Sequence, residues 1–300
     1  MTSTQVRPDD LVRAKIDEQV RALTEHEQIA RAGVDPEGVH QMRVAVRRLR
    51  AALKAESSIP GADALQEELK WLGTSLGNVR DLDVQIGHLR AQAADFGDDE
   101  QAAVEQLLKG LLTDRRRARQ RMLGVLRSRR YATLLELLNG IAANELPVNG
   151  APPAKTRKQW AANLAELVRR PYRKLTKAAN ALGADPPDDD LHALRIKGKR
   201  LRYAAELAAP AGGKPVEKLI KATKGLQDVL GDHQDAVIAE QEVRRLLAEL
   251  GDEIEVNVVF VAGRLVERER ARRAECRARW REALAEVDSH AAKLAGPPPR

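Results

Sequence analysis

Three blocks of this chain recur once each, in the same order and at nearly one spacing, and that repetition limits the fold more than any other feature. HQMRVAVRRLRAAL, starting at His40, matches HALRIKGKRLRYAA, starting at His192, 152 residues later. WLGTSLGNVRDLDV aligns Leu76, Gly77 and Asp81 with Leu230, Gly231 and Asp235 of GLQDVLGDHQDAV, 154 residues on. GLLTDRRRAR at 110 meets GRLVERERAR at 263, 153 residues on. The chain therefore reads as an internal duplication of one structural unit, not as 300 residues of independent design.

Each unit reads as helical. Apolar residues recur with a period of about 3.6 almost everywhere, and no run alternates as a strand. Aromatics make up only 3% of the chain, so Leu, Val and Ala must build the core, a mixture that favours helices over sheets. Breaks fall at GVDP (33–36), SSIPGAD (57–63), DFGDD (95–99), NELPVNGAPPAK (144–155), LGADPPDDD (182–190), APAGGKP (209–215) and ELGDE (249–253), and they separate eight helical segments. The stretch 144–155 is the most linker-like, while MTSTQVRP and GPPPR read as frayed ends. The expected architecture is all-α, with a first four-helix half over 9–145 and a second over 155–287.

The repeated block at His40 carries a pattern that packing alone does not require. At about 100° per residue, His40, Arg43, Arg47, Arg50 and Lys54 share an arc of about 80°. Val39, Met42, Val46, Leu49 and Leu53 form the apolar face beside it. The second copy repeats the arrangement with His192, Arg195, Lys199 and Arg202 beside Leu191, Leu194 and Leu201, and places Glu206 where the first has Lys54. Asp35-Pro36 and Asp188 to Asp190 read as helix starts, which sets both histidines near a positive helix end. Between residues 36 and 54 the single acid Glu37 faces Arg43, Arg47, Arg48, Arg50 and Lys54, so neighbours on the same helix cannot neutralise the stripe. Either acids on other helices or a ligand must do so. Arginine's planar fork grips phosphate oxygens in pairs, which suits a phosphate-rich ligand. Lys70 with Lys224, Arg115 with Arg268, Arg117 with Arg270, and Arg119 with Arg272 recur as further basic positions, and Lys218, Lys221 and Lys224 follow at every third residue.

Charge and cysteine content narrow the function classes. Lys and Arg number 51 against 44 Asp and Glu, a net charge of +7, so a polyanionic partner is expected. Cys276 is the single cysteine, which excludes an internal disulfide framework and a thiolate metal cage within one chain. The first twenty residues lack the apolar run of a secretory leader, and no window approaches eighteen consecutive apolar residues. A soluble cytoplasmic protein with no membrane partner is the expectation.

HxxRVxxRRLR, followed some twenty-five residues on by LGxxRDLDV and then repeated, resembles the conserved-histidine α-helical domain family, CHAD. The resemblance runs from about Asp9 to Val287. Its matching elements are His40, Arg43, Arg47, Arg48, Leu49 and Arg50 with Leu76, Gly77, Arg80 and Asp81, then His192, Arg195, Lys199, Arg200, Leu201 and Arg202 with Leu230, Gly231 and Asp235. It implies two four-helix bundles related by a pseudo-two-fold, together one CHAD domain, with a basic central surface that binds inorganic polyphosphate. It also implies residence on polyphosphate granules in bacterial cells. On that reading His40, Arg43, Arg47, Arg48, Arg50, Lys54, His192, Arg195, Lys199, Arg200 and Arg202 hold the ligand. Lys70, Arg115, Arg119, Lys218, Lys221, Lys224, Arg268 and Arg272 form a secondary contact set. Arg47 becomes Lys199, Arg80 becomes Gln234 and Lys54 becomes Glu206 in the second copy, so the halves contribute unequally. The ExExK strand of triphosphatase domains found fused to some members has only a weak echo here, Glu253-Ile-Glu255-Val-Asn257, and the chain looks like a stand-alone member.

Other readings compete. A basic helical surface accepts nucleic acid as well, although scarce aromatics and the lack of a base-reading motif argue against it. A phosphohydrolase would need clustered carboxylates for Mg²⁺ or a phosphate-cradling glycine loop; only Asp81, Asp83, Asp232 and Asp235 offer themselves, and Asp81 and Asp235 read as structural partners of arginines. No catalytic residue, metal or cofactor is expected. A bound phosphate would favour protonated His40 and His192 and stronger binding in mild acid, against a neutral hydrogen-bonding role at the bundle edge. A helical scaffold for protein partners is the last alternative.

Overall fold

Leu, Val and Ala at helical spacing give helices wherever the chain is described in the computed structural model, which covers residues 8–55, 61–143, 157–251 and 254–295. The elements are α1 (Pro8–Ala32), α2 (Glu37–Ala55), α3 (Ala62–Gln92), α4 (Asp98–Leu107), α5 (Lys109–Leu126), α6 (Arg129–Ala142), α7 (Arg157–Asn180), α8 (Asp188–Glu249) and α9 (Val256–Ala295). The described residues contain no strand, as the periodicity predicts. The linker-like stretch 144–155, both chain ends as far as residue 7 and from 296, and Glu253 of the ExExK echo lie outside the described residues.

Local chemistry sets the helix ends that position the site. Gly33, at φ 70, ends α1, and the Asp35 carboxylate then accepts a 2.8 Å hydrogen bond from the Glu37 N–H at the start of α2. Asp188 to Asp190 occupy the first turn of α8, where the helix dipole favours negative charge. The expected break at 209–215 is a sharp one: two helical arms of α8 meet at Gly213, whose φ of 56 and ψ of −156 are non-helical. A break without proline or glycine separates α5 from α6, where Ser128 leaves the helical conformation and its hydroxyl accepts the Tyr131 N–H at 3.2 Å.

The chain forms two compact units, residues 1–94 with 108–153 and residues 95–107 with 154–300. In the first, α1 packs on α2 and α6, and α3 on α2 and α5, around Met42, Leu49, Leu69, Leu72, Leu76, Met122, Leu134 and Leu138. In the second, α8 packs on α7 and α9 around Tyr172, Leu175, Leu191, Leu194, Leu201, Leu219, Leu226 and Trp280. Residues 95–107, which chain order places in the first half, belong to the second unit, where α4 packs on α9. Burial in α1 and α7 keeps the duplication's register: Ile16, Val20 and Leu23 are buried, and so are Val168, Tyr172 and Leu175, each 152 residues on.

Candidate functional site

In α2 the apolar positions Val39, Met42, Val46, Leu49 and Leu53 are all buried, which fixes the helix's rotation. His40 is then half-buried, and Arg43, Arg47, Arg48 and Arg50 are exposed. Arg43 is held from below by α3. A Cβ on Gly77 would stand 2.3 Å from Arg43 Nη1, so the glycine is the space through which the guanidinium crosses α3. One turn further along, Asp81 Oδ1 lies 3.5 Å from the same nitrogen, an ion pair exposed enough to orient the side chain but to contribute little stability. Asp81 is thus an arginine partner, the structural role its position beside Gly77 suggests. Arg48 points to the opposite flank of α2 and reaches Gln19 of α1 at 3.5 Å. Of Lys54 the backbone lies in α2, and its side chain is outside the described residues.

The second unit repeats the central contact with different surroundings. Arg195 lies over Gly231, with Nη2 3.4 Å and Nε 3.5 Å from the position a Cβ would take, and its buried Nε has no hydrogen-bond partner. His192 Nδ1 is 2.9 Å from Gln234 Oε1; with that oxygen as acceptor, Nδ1 carries the proton and Nε2 is left for another group. Lys199 is half-buried. Arg202 Nε lies 3.0 Å from Glu206, so the acid that replaces Lys54 partly neutralises this flank. Arg200 faces away from these residues, into a groove between α7 and α8.

The secondary basic positions divide into two groups. Lys218, Lys221 and Lys224 are exposed, and Lys70 pairs with Glu67 at 3.2 Å. The arginines of α5 and α9 are instead tied into the fold. Arg115 pairs with Asp83, a carboxylate only 5% exposed. Arg119 donates to the Arg31 carbonyl at 2.5 Å and lies against Gly33, so it caps the end of α1. Arg268 grips Asp95 with both nitrogens, at 2.6 and 2.7 Å, and this holds the Asp95 carboxyl well below the usual range, at about 2. Arg272 pairs with Asp232 at 2.8 Å. Their recurrence in both copies has a packing explanation, and a ligand must compete with these carboxylates to reach them.

Sequence reasoning passed over the α9 arginines that organise the start of α8. Arg277 donates to Asp188 at 2.7 Å and to Asp185 and the Pro186 carbonyl, while Arg273 reaches Asp188 at 3.3 Å and Glu240 at 3.7 Å. Buried His233 shares this cluster, with Nε2 3.2 Å from Asp188 Oδ1. Burial pushes its imidazole below the ordinary value of 6.5, outweighing Asp188. The signal was the i, i+4 spacing of Arg273 and Arg277, but the acids they reach around the start of α8, Asp185 and Asp188, lie some 90 residues earlier in the chain. Among the described residues no three His, Cys, Asp or Glu side chains are grouped to hold a metal ion, and no helix is long and apolar enough to cross a membrane.

Comparison with known proteins adds the family context. The CHAD domain model matches residues 14–244. Uncharacterized proteins from two strains of Mycobacterium tuberculosis are each 29% identical over 299 residues, covering 94% of this chain and 54% of theirs. The chain thus spans about half the length of these curated relatives. Among solved structures, the CHAD domain from the plant Ricinus communis is 27% identical with a TM-score of 0.65, covering 97% of this chain and 94% of that one. PptA from Streptomyces chartreusis shares the fold, with a TM-score of 0.63 at 18% identity, over 92% of this chain and 99% of that one.

Proposed function

The chain belongs to the CHAD family, and on that premise we propose that it binds inorganic polyphosphate, without acting on it chemically, through the basic flanks of α2 and α8. The observation that carries this reading is one contact made twice, an arginine laid over a helix glycine, at Arg43 on Gly77 and at Arg195 on Gly231. A glycine inside a helix costs about 0.5–1 kcal/mol relative to alanine, so at Gly77, where a Cβ would stand 2.3 Å from Arg43, its use trades helix stability for the position of a guanidinium. Around Arg43 stand the exposed Arg47 and Arg50, and around Arg195 stand His192, Lys199 and Arg202.

Polyphosphate is a flexible chain with a negative charge at every phosphate and no bases to read. A protein recognises it through charge density and oxygen geometry alone. Rows of arginine meet both needs, since each fork accepts two phosphate oxygens and stays protonated. On this reading the protein works in the cytoplasm on polyphosphate granules, and a fluorescent fusion should colocalise with them.

The test is binding of long-chain polyphosphate by wild type and by Arg43→Ala/Arg47→Ala/Arg195→Ala/Lys199→Ala across a salt series, with duplex DNA as competitor. Wild type should bind with a steep salt dependence. Removing four contacts should flatten the slope by about 2 to 3, at about 0.7 per phosphate contact for a single-stranded polyanion. Equal affinity of the two proteins would defeat the reading, and displacement by DNA at equal charge concentration would favour a general polyanion binder. Phosphate release in Mg²⁺ or Mn²⁺ above a no-protein control would make the protein an enzyme.

A further inference from the structure

The strongest unexplained charge lies outside the repeated motif. Between α7 and the first arm of α8, within the second unit, a groove of about 460 Å³ is lined by Arg170, Lys174, Lys177, Lys197 and Arg200, and the rest of its lining is apolar. Among the described residues no carboxylate lines it. None of the five cations makes an ion pair or hydrogen bond among the described residues. On α9 of the same unit most arginines find acids, as Arg268, Arg272, Arg273 and Arg277 do. Here Arg170 and Lys174 are like charges four residues apart, and Lys174 with Lys177 and Lys197 with Arg200 are three apart, spacings at which they repel across one helix face.

The groove is not part of the duplicated surface. On α8, at about 100° per residue, Lys197 and Arg200 lie about 150° from the middle of the arc holding His192, Arg195, Lys199 and Arg202, on the far side of the buried leucines. The duplication also supplies an internal comparison. At the register set by the buried residues of α1 and α7, the first unit has Glu18, Ala22, Glu25, Ala45 and Arg48 where the second has Arg170, Lys174, Lys177, Lys197 and Arg200. Two acids and two alanines show that packing does not demand cations here. The corresponding helix pair, α1 on α2, packs without them in the same chain.

We infer that the α7–α8 groove is a second anion site, specific to the second unit, that takes a short multiply charged phosphate such as a tripolyphosphate. Three cations of α7 and two of α8 converge on a space the size of a small ligand, and a compact polyanion relieves the repulsion of all five at once. Phosphate suits the site better than a carboxylate because Arg170 and Arg200 each offer a planar fork and the lysines add mobile point charges. Such a group can come as free oligophosphate or as the end of a longer chain. The inference does not depend on the polyphosphate reading of the repeated motif.

The experiment is calorimetric titration of inorganic tripolyphosphate, with long-chain polyphosphate in a second arm. Four proteins are compared: wild type, the groove variant Lys174→Gln/Lys177→Gln/Lys197→Gln, the motif variant Arg195→Gln/Arg202→Gln, and the charge-matched control Arg244→Gln/Arg279→Gln/Lys293→Gln. The groove variant should lose tripolyphosphate affinity by about tenfold or more, the scale of one or more charged hydrogen bonds, while the control stays within about threefold of wild type and the motif variant loses less than the groove variant. Loss in the long-chain arm as well as with tripolyphosphate places chain ends in the groove; loss with tripolyphosphate alone identifies free oligophosphate. A groove variant that binds tripolyphosphate like wild type, or a control that loses as much, overturns the site. Single Lys174→Gln and Lys177→Gln variants, at exposed positions, carry the same test if the triple variant loses helicity. If motif variant and wild type bind long chains equally, the function proposed for the repeated motif falls while the groove result stands.

Discussion

Gly77 and Gly231 have the same role in the sequence repeat but different tolerances in the fold. At Gly77 a Cβ would stand 2.3 Å from the end of the Arg43 side chain, and at Gly231 the nearest Arg195 atom would be 3.4 Å away, an ordinary contact. In Gly77→Ala the flexible guanidinium yields, the helix gains about 0.5–1 kcal/mol, and Arg43 leaves its place over α3. The expected outcome is an unchanged or raised melting temperature together with a polyphosphate affinity lower by about threefold to tenfold, the worth of one charged contact. Gly231→Ala should keep Arg195 in place and change affinity less, so titration of the two variants side by side checks the contact. His233 gives a residue-scale prediction of another kind. Its folded pKa lies below 6.5 because burial penalises the charged ring, so the unfolded chain takes up a proton first as pH falls. Stability is therefore full above about pH 6.5 and declines below it, and His233→Gln should flatten the fall in urea midpoint between pH 7.5 and 5.5. At this scale the faces of His40, Arg43, Arg47 and Arg50 were legible because one helix period fixes them. The partners of Arg115 and Arg119 were not, since Asp83 and the Arg31 carbonyl lie 32 and 88 residues away in the chain.

Among the elements, α8 joins two segments that the sequence separates at APAGGKP. Two helical arms meet in this stretch because one residue, Gly213, makes the whole turn at φ 56 and ψ −156, a conformation side chains with a Cβ rarely adopt. A Cβ there would meet nothing within 4 Å, so the cost of Gly213→Ala is backbone strain alone, about 1–3 kcal/mol. A lowered urea midpoint with helicity retained at low urea is the expected result; an unchanged midpoint would mean that the kink relaxes into regular helix at no cost. Turn residues made the breaks at GVDP, DFGDD and LGADPPDDD visible in the sequence. The α5–α6 break was hidden because Ser128 acts there as a cap amid arginines, with no glycine or proline to mark it. The placement of α4 was hidden for a different reason. Phe96 is buried beneath Arg264 and Arg268, at 3.8 and 4.6 Å from the ring, and those contacts join residues more than 160 apart.

For the whole molecule, the net charge of +7 says less than its distribution. Most α9 arginines are satisfied by acids of the fold, so the proposed binding rests on the flanks of α2 and α8 and on the α7–α8 groove. The two copies of the motif differ in strength, since Lys199 replaces Arg47 and Glu206 takes Arg202 where the first copy has Lys54. A ligand held by both copies of one molecule binds the second in an intramolecular step, so its affinity exceeds what either copy supplies alone. That advantage depends on chain length. For long-chain polyphosphate, neutralising either copy, Arg43→Gln/Arg47→Gln/Arg50→Gln or Arg195→Gln/Lys199→Gln/Arg202→Gln, should lower affinity by about a hundredfold or more. For a chain too short to engage both, the first variant should cost more than the second, because the first copy is the more basic. Titration of both variants with short and long chains separates the cases. If the loss is the same at every length and only the number of bound chains halves, the copies act as independent sites, and the duplication serves capacity instead of affinity.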